Sequence, residues 1–92
     1  LGTVYQILGE NARAIDYLKQ SLKMNMALYG DQPRPEIAAN LNNLGVVYQG
    51  LGKNLKAIDY CNQSLKMGEL LYGDQPNQEI ASTLNNLGNA YR

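Results

Sequence analysis

Several residue types are absent from this chain, and each absence narrows what it can do. The sequence has no His, which removes the commonest general base and the commonest zinc ligand. Trp and Phe are also absent, so seven Tyr residues supply all the aromatic side chains. No P-loop, dinucleotide-binding fingerprint or cluster of metal ligands occurs. We therefore expect no catalytic residue, no cofactor and no metal site.

The chain has no net charge and only one cysteine. Eight Lys plus Arg balance eight Asp plus Glu, so no net charge attracts the chain to nucleic acid or to an anionic membrane surface. No apolar run approaches the ~18 residues that a membrane span needs. The single cysteine, Cys61, excludes a disulfide within the chain, which fits a reducing compartment. We expect a cytoplasmic protein that binds neither nucleic acid nor membrane.

One motif occurs three times and organises the sequence. The complete copy is residues 41–52. Residues 1–9 correspond to its C-terminal nine positions, and residues 84–92 correspond to its N-terminal nine positions. Laying residues 1–43 over residues 44–86 needs no gap, and 29 of the 43 positions are identical. Internal repeats of this size indicate similar units stacked on one another.

The apolar spacing within one period is helical. Apolar side chains recur at intervals of four and three residues at Ile37, Leu41, Leu44, Tyr48 and Leu51. Such spacing places them on one face of a helix. It predicts a helix A over residues 36–50, ended by the glycines on either side of Leu51.

A second helix of the period, helix B, is predicted over about residues 54–72. Asn54 is expected to cap its start, and Asn11 to cap the equivalent helix of the preceding copy. A Gly-Asp-Gln-Pro turn over residues 73–76 then ends helix B, and the next helix A begins near Glu79.

The chain thus divides into three parts of one domain. Residues 1–35 hold the end of a first helix A and the helix B that follows, 36–78 a complete repeat, and 79–92 the helix A of a third. Because one helix pair cannot bury both its faces, neighbouring pairs are expected to stack. The first residue is not an initiator Met, and we expect the sequence to be a piece of a longer chain.

The residues that carry this pattern resemble the tetratricopeptide repeat signature. The matching positions of the complete repeat are Leu44, Gly45, Tyr48, Gly52, Ala57, Ser64 and Leu65. The match is repeated at Leu1, Gly2, Tyr5, Gly9, Ala14, Ser21 and Leu22, and it begins again at Leu84, Leu87, Gly88 and Tyr91. The resemblance implies an all-α fold, a right-handed α-α superhelix of antiparallel helix pairs with a 43-residue period.

The period is longer than the ordinary 34 residues, and helix A opens with Leu-Asn-Asn-Leu. Both features resemble the kinesin light chain type of repeat and nephrocystin-3-like arrays. The resemblance implies a non-catalytic scaffold for protein–protein interaction, whose A helices bind a peptide of a partner protein on their concave face.

A second stripe on helix A lies about 145° from the core stripe, and in the family this face lines the groove. The predicted groove residues are Thr3, Gln6, Asn42, Val46, Gln49, Asn85, Asn89 and Arg92, with Ala39 and Ser82 at the edge. Asn42 and Asn85 lie one period apart, and such amides can form a ladder that donates to and accepts from a peptide backbone. Alternatively, these polar residues only solvate an exposed face. Because asparagines hold the place of the clamp lysine, no carboxylate clamp is expected.

Other residues have a structural interpretation. Gly45 and Ala57 are expected to let the two helices of a pair approach closely, and Ser64 to leave room for the next helix A. Asn43 and Asn86 are expected to bond between neighbouring helices. Cys61 is expected to be a buried, inert thiol rather than a nucleophile.

The motif is incomplete at both ends of the sequence, and this favours self-assembly as a second possible function. No helix B follows the last helix A, so its apolar face is expected to form an exposed patch of Ile80, Leu84, Leu87 and Tyr91. A head-to-tail stack of copies would bury this patch. A third, remote alternative is a regulatory segment of a larger enzyme, because such arrays are often fused to catalytic domains.

Overall fold

Four α-helices and no strand make up residues 2–30 and 32–91, the part of the chain that the computed structural model describes; side chains are described from Gly9 onward. The helices are α1 (Gly2–Tyr29), α2 (Pro35–Gly50), α3 (Asn54–Tyr72) and α4 (Gln78–Ala90). The prediction of an all-α fold is confirmed. None of these described helices is both long and apolar enough to cross a bilayer.

Helices α2 and α3 form an antiparallel pair. Ala38, near the start of α2, accepts a hydrogen bond from Ser64, while Tyr48 near its end stacks on Tyr60, which comes earlier in α3. Helix α4 packs on α3 and also touches α2, and α1 packs on α2. The helices therefore follow one another in space in the order of the sequence.

Glycines end the helices where the sequence predicts. Helix α2 stops at Gly50, and Gly52 then takes a φ of +77°. Helix α3 stops at Tyr72, and Gly73 takes a φ of +59°. A residue with a side chain rarely adopts this left-handed conformation, so the glycines allow the chain to turn back at both points.

Helix α1 differs from the expected arrangement, because it runs unbroken through Gly9 and Asn11. The turn predicted after Gly9 and the cap predicted at Asn11 are not formed. Gly9 and Asn11 lie inside this helix, whereas their equivalents Gly52 and Asn54 lie after the end of α2 and at the start of α3. Continuing α1 keeps residues 2–9 in the regular backbone hydrogen bonds of one helix.

The starts of the other helices also correct the sequence prediction. The residue before α3 is Lys53, and Asn54 lies inside the helix without capping it. Helix α4 begins instead with a side-chain cap, since Asn77 Oδ1 accepts from the backbone N–H groups of Glu79 and Ile80, at 2.8 and 3.3 Å. Helix α2 uses Pro35 in its first turn. The first N–H groups of a helix have no partner within it. The Asn77 side chain accepts hydrogen bonds from two of them in α4, and Pro35 in α2 has no N–H group that needs a partner.

The buried core is a thin layer between the helices. Leu44 and Tyr48 of α2 meet Ala57 of α3 and Ala90 of α4, and all four are buried. Half-buried apolar side chains from α1 and α3 pack around them at Leu18, Leu22, Ile58 and Tyr60, and Ile15 also contributes. Helix α2 is therefore the central element, covered on several sides.

Candidate interaction surface

The close approach of α2 and α3 depends on Gly45. A Cβ placed on Gly45 would lie 2.5 Å from the Sγ of Cys61 and 3.3 Å from the carbonyl oxygen of Ala57. Cys61 is buried, and burial raises the pKa of its thiol. The thiolate, which is the reactive form, is therefore disfavoured. This agrees with the expected role of Cys61 in packing.

Tyr48 is the aromatic contact of the same helix pair. Its ring stacks on Tyr60 with centroids 5.5 Å apart and the ring planes within 5° of parallel. The Nζ atoms of Lys56 and Lys19 lie 5.3 and 5.9 Å from the centroid of the Tyr48 ring. Stacking and cation–π contacts thus fix the end of α2 against both neighbouring B helices.

The junction between α3 and α4 is closed by small groups. Ser64 is buried, donates to the carbonyl of Ala38 at 2.8 Å, and lies 3.5 Å from the hydroxyl of Thr83. A Cβ on Gly68 would lie 2.9 Å from Ile80. Ser64 therefore leaves room for the following helix, as predicted.

The junction between α1 and α2 is held by side-chain hydrogen bonds that the sequence analysis did not predict. Asn40 is buried and sits between two side chains of α1. It accepts from Asn25 at 2.7 Å and donates to Ser21 at 3.2 Å. The equivalent positions one period later are Gly68, Thr83 and Ser64. The sequence contains a sign of this contact, because both members of the contacting pair differ between the two copies. Asn25 is replaced by Gly68 one period later, and Asn40 is replaced by Thr83.

The predicted groove residues of α2 and α4 fall into two groups. Val46 is 45% exposed, Gln49 is half-buried, and Asn85 and Asn89 are exposed. Asn42, by contrast, is buried between the two helices. The side chains of Thr3 and Gln6 and the whole of Arg92 lie outside the described residues. Of the edge residues, Ala39 is half-buried and Ser82 exposed.

Asn42 joins the two A helices through Asn86. The Nδ2 atom of Asn86 donates to the Oδ1 of Asn42 at 3.0 Å. The expected inter-helix role of Asn86 is confirmed, whereas Asn43 is exposed. The bond joins positions 44 residues apart, so Asn42 bonds to Asn86 and not to Asn85, its equivalent one period later. Asn42 thus helps to set the spacing of the two A helices.

The apolar patch predicted on α4 is partly formed. Leu84 is 53% exposed and Tyr91 is 70% exposed, while Ile80 is half-buried. Leu87 was expected to be exposed and is buried, because α4 packs against both α3 and α2. A cleft of about 480 Å³ beside the start of α4 is lined by Pro76, Ile80, Leu84 and their neighbours.

Chemistry in the described residues is otherwise limited to hydrogen bonding and apolar contact. Among them, no group of three or more Cys, Asp or Glu side chains is placed to hold a metal ion. Every fully buried side-chain nitrogen or oxygen in the same residues has a hydrogen-bond partner.

Helices that pack on one another in sequence order, with α2 and α3 as an antiparallel pair, are typical of a helical repeat protein. Two sequence models described as Tetratricopeptide repeat match the chain, over residues 36–92 and residues 1–25. The first match covers more than half of the sequence, and the chain belongs to the tetratricopeptide repeat family. No curated protein and no solved structure gives a significant match.

Proposed function

We propose that the chain is a non-catalytic scaffold that binds an extended peptide of a partner protein across α2 and α4. Tetratricopeptide repeats generally mediate protein–protein interaction. The observation that carries the proposal is a stripe of accessible amides on neighbouring A helices, at Gln49, Asn85 and Asn89. Val46 adds an exposed apolar side chain to this stripe.

The chemistry of this stripe suits a peptide backbone. Asn85 and Asn89 are four residues apart on α4 and therefore lie on one face of the helix. Each amide both donates and accepts, so the pair can bond to a backbone N–H and C=O without reading a side chain. The bond between Asn42 and Asn86 supports the site by holding α2 and α4 side by side.

From the resemblance to kinesin light chain-type repeats, we propose that the peptide is bound along several successive A helices. A 43-residue period repeated along a right-handed superhelix would bring the amide stripes of successive A helices onto one concave surface. A longer array would then contact a longer peptide with the same chemistry at each step. Affinity would grow with the number of repeats engaged.

The groove is tested by selecting binders from a phage-displayed library of random linear peptides on the full chain. Asn85→Ala combined with Asn89→Ala is expected to weaken the selected peptides about 10- to 100-fold, because each lost hydrogen bond contributes about 1 kcal/mol. The matched control is Asn62→Ala with Gln63→Ala, an exposed amide pair on α3. Isothermal titration calorimetry measures both. Equal affinities for the two double variants would refute the groove.

A second candidate function is self-assembly through α4, and a specific observation favours it. Leu84 on α4 and Tyr91 directly after it are both more than half exposed. We propose that this face joins copies of the chain. Sedimentation velocity over a hundredfold concentration range is expected to show a rising average mass. A constant monomer mass at the highest concentration would exclude it.

A further inference from the structure

We propose that two pairs of residues, Asn25 with Asn40 and Gly68 with Thr83, determine which helices of this chain pack on each other and thereby fix the order of its similar repeats. The first pair lies at the first junction, where α1 packs on α2. The second pair holds the equivalent positions at the second junction, where α3 packs on α4. Both junctions lie inside the chain, so this selectivity needs neither the peptide groove nor self-assembly.

The order of the helices has to be specified because the two copies are so alike. Residues 1–43 and 44–86 are identical at 29 of 43 positions. At either junction, the wrong helix therefore presents nearly the same surface as the right one. Helix α4 can compete with α2 for α1, and α2 of one chain can compete with α4 of another for α3. Wrong association of similar units is a characteristic failure of repeat proteins.

Few of the differences between the two copies are buried. Most residues of 44–86 that differ from their equivalents are exposed. The buried ones are Cys61, Gly68 and Thr83. Cys61 packs between α2 and α3, whereas the equivalents of the other two are hydrogen-bonded to each other at the first junction. The buried differences are therefore concentrated where an A helix meets the preceding B helix.

At the first junction, Asn40 uses both ends of its amide. Asn40 is buried, and its Oδ1 accepts from the Nδ2 of Asn25 at 2.7 Å. Its Nδ2 donates to the hydroxyl of Ser21 at 3.2 Å, and both partners belong to α1. A buried oxygen that loses its donor is unfavourable, because it has also lost its contact with water. Asn40 therefore requires a helix that carries a donor at the position of Asn25.

At the second junction, the same positions need no such bond. Thr83 is buried, and its hydroxyl donates to the carbonyl of Glu79 in its own helix at 2.9 Å. The same hydroxyl lies 3.5 Å from that of Ser64. Gly68 leaves space for Ile80, since a Cβ at Gly68 would lie 2.9 Å from the Cγ1 of that side chain. Thr83 therefore requires nothing from position 68, and Ile80 fits because that position has no side chain.

Each wrong pairing meets an unfavourable contact. If α2 packs on α3, Gly68 offers no donor to the buried oxygen of Asn40. If α4 packs on α1 with the geometry of the second junction, Ile80 meets the Cβ of Asn25. With the geometry of the first junction, Thr83 is one bond shorter than Asn40 and leaves the Asn25 amide without its acceptor. Selectivity between similar partners depends on such penalties against the wrong partner.

A double-mutant cycle tests the first pair. Asn25→Gly and Asn40→Thr are each expected to lower the equilibrium constant for folding about tenfold, because each leaves one amide without its partner. Together they give the first junction the residues of the second, so the combined loss is expected to be smaller than the product of the two single losses. Urea unfolding followed by far-UV circular dichroism at low concentration measures all three variants. A combined loss equal to that product or larger would overturn the matched pair.

Refolding tests whether the pair also specifies the order. In Asn25→Gly combined with Asn40→Thr, both junctions carry the same residues at these positions, so the wrong partner is no longer disfavoured. Rapid refolding from urea at high concentration is expected to leave several-fold more of this variant than of the unaltered chain in trapped oligomers. Size-exclusion chromatography after dilution counts these oligomers, because a reversible association through the exposed residues of α4 dissociates on dilution.

The matched control is Arg13→Lys combined with Met26→Glu. These substitutions also make two positions of α1 identical to their equivalents, but the residues at these positions are exposed in both copies. The trapped fraction of the control is expected to equal that of the unaltered chain. Equal trapped fractions in the control and in the junction variant would refute the role of the pair in helix order, whatever coupling the cycle shows.

Discussion

Leu44→Ala is expected to lower the free energy of unfolding by about 2–5 kcal/mol, the cost of removing a large buried side chain from a core that cannot collapse around the gap. Leu44 is fully buried and belongs to the cluster of Tyr48, Ala57 and Ala90, which draws on three helices. A domain of this size has a stability of about 5–15 kcal/mol. The substitution therefore removes a large part of what holds the helices together.

Urea unfolding followed by far-UV circular dichroism measures this loss, since the chain has no Trp to report by fluorescence. Leu55→Ala is the matched control, because Leu55 lies on α3 and is 86% exposed. Its substitution is expected to change stability by less than about 0.5 kcal/mol. Similar losses for Leu44→Ala and Leu55→Ala would contradict the burial of Leu44 at the centre of the fold.

The features that the sequence predicts are those with a local cause. The four-and-three spacing of apolar residues places Leu44 and Tyr48 on the buried face of α2, and both are buried. The positive φ of Gly52 and Gly73 follows from the turns that the chain must make there. Gly45 could be assigned to a close helix contact because a glycine inside a helix needs a packing reason.

The features that the sequence did not predict depend on neighbours. Helix α1 runs through Gly9, whereas the equivalent Gly52 follows the end of α2, and a pattern taken from the complete repeat does not reveal this difference. Leu87 is buried because α4 touches α2 as well as α3. A contact between two helices that are not consecutive in the chain leaves no periodic trace in either one.

The hydrogen bond between the side-chain amides of Asn42 and Asn86 likewise depends on how neighbouring helices pack, so the sequence did not predict it. Aligning the copies pairs Asn42 with Asn85, but the hydrogen bond joins Asn42 to Asn86. The difference of one residue reflects how far neighbouring A helices slide and turn past each other. That displacement is a property of the packed helices, so sequence alignment alone cannot give it. It determines which amides are used between helices and which remain accessible to a peptide.

Gly45→Ala is the second substitution with a large expected effect, a loss of about 1–3 kcal/mol, which is typical of overpacking. The added methyl would lie 2.5 Å from the Sγ of Cys61 and 3.3 Å from the backbone oxygen of Ala57. Cys61 is held in the core and cannot move away freely, so α2 and α3 must separate. Because α2 is the central helix, the contacts of α1 and α4 weaken with it.

Two further variants distinguish this clash from a change in helix propensity. Gly88→Ala makes the same substitution at the equivalent position, where a Cβ meets nothing within 4 Å; it is expected to stabilise the monomer by up to about 1 kcal/mol through helix propensity. Adding Cys61→Ala to Gly45→Ala removes the sulfur and is expected to recover part of the loss, giving a favourable coupling in a double-mutant cycle. Thermal and urea unfolding at low concentration measure both. Equal effects of Gly45→Ala and Gly88→Ala, or strictly additive losses in the cycle, would show that the contact with Cys61 does not set the spacing of α2 and α3.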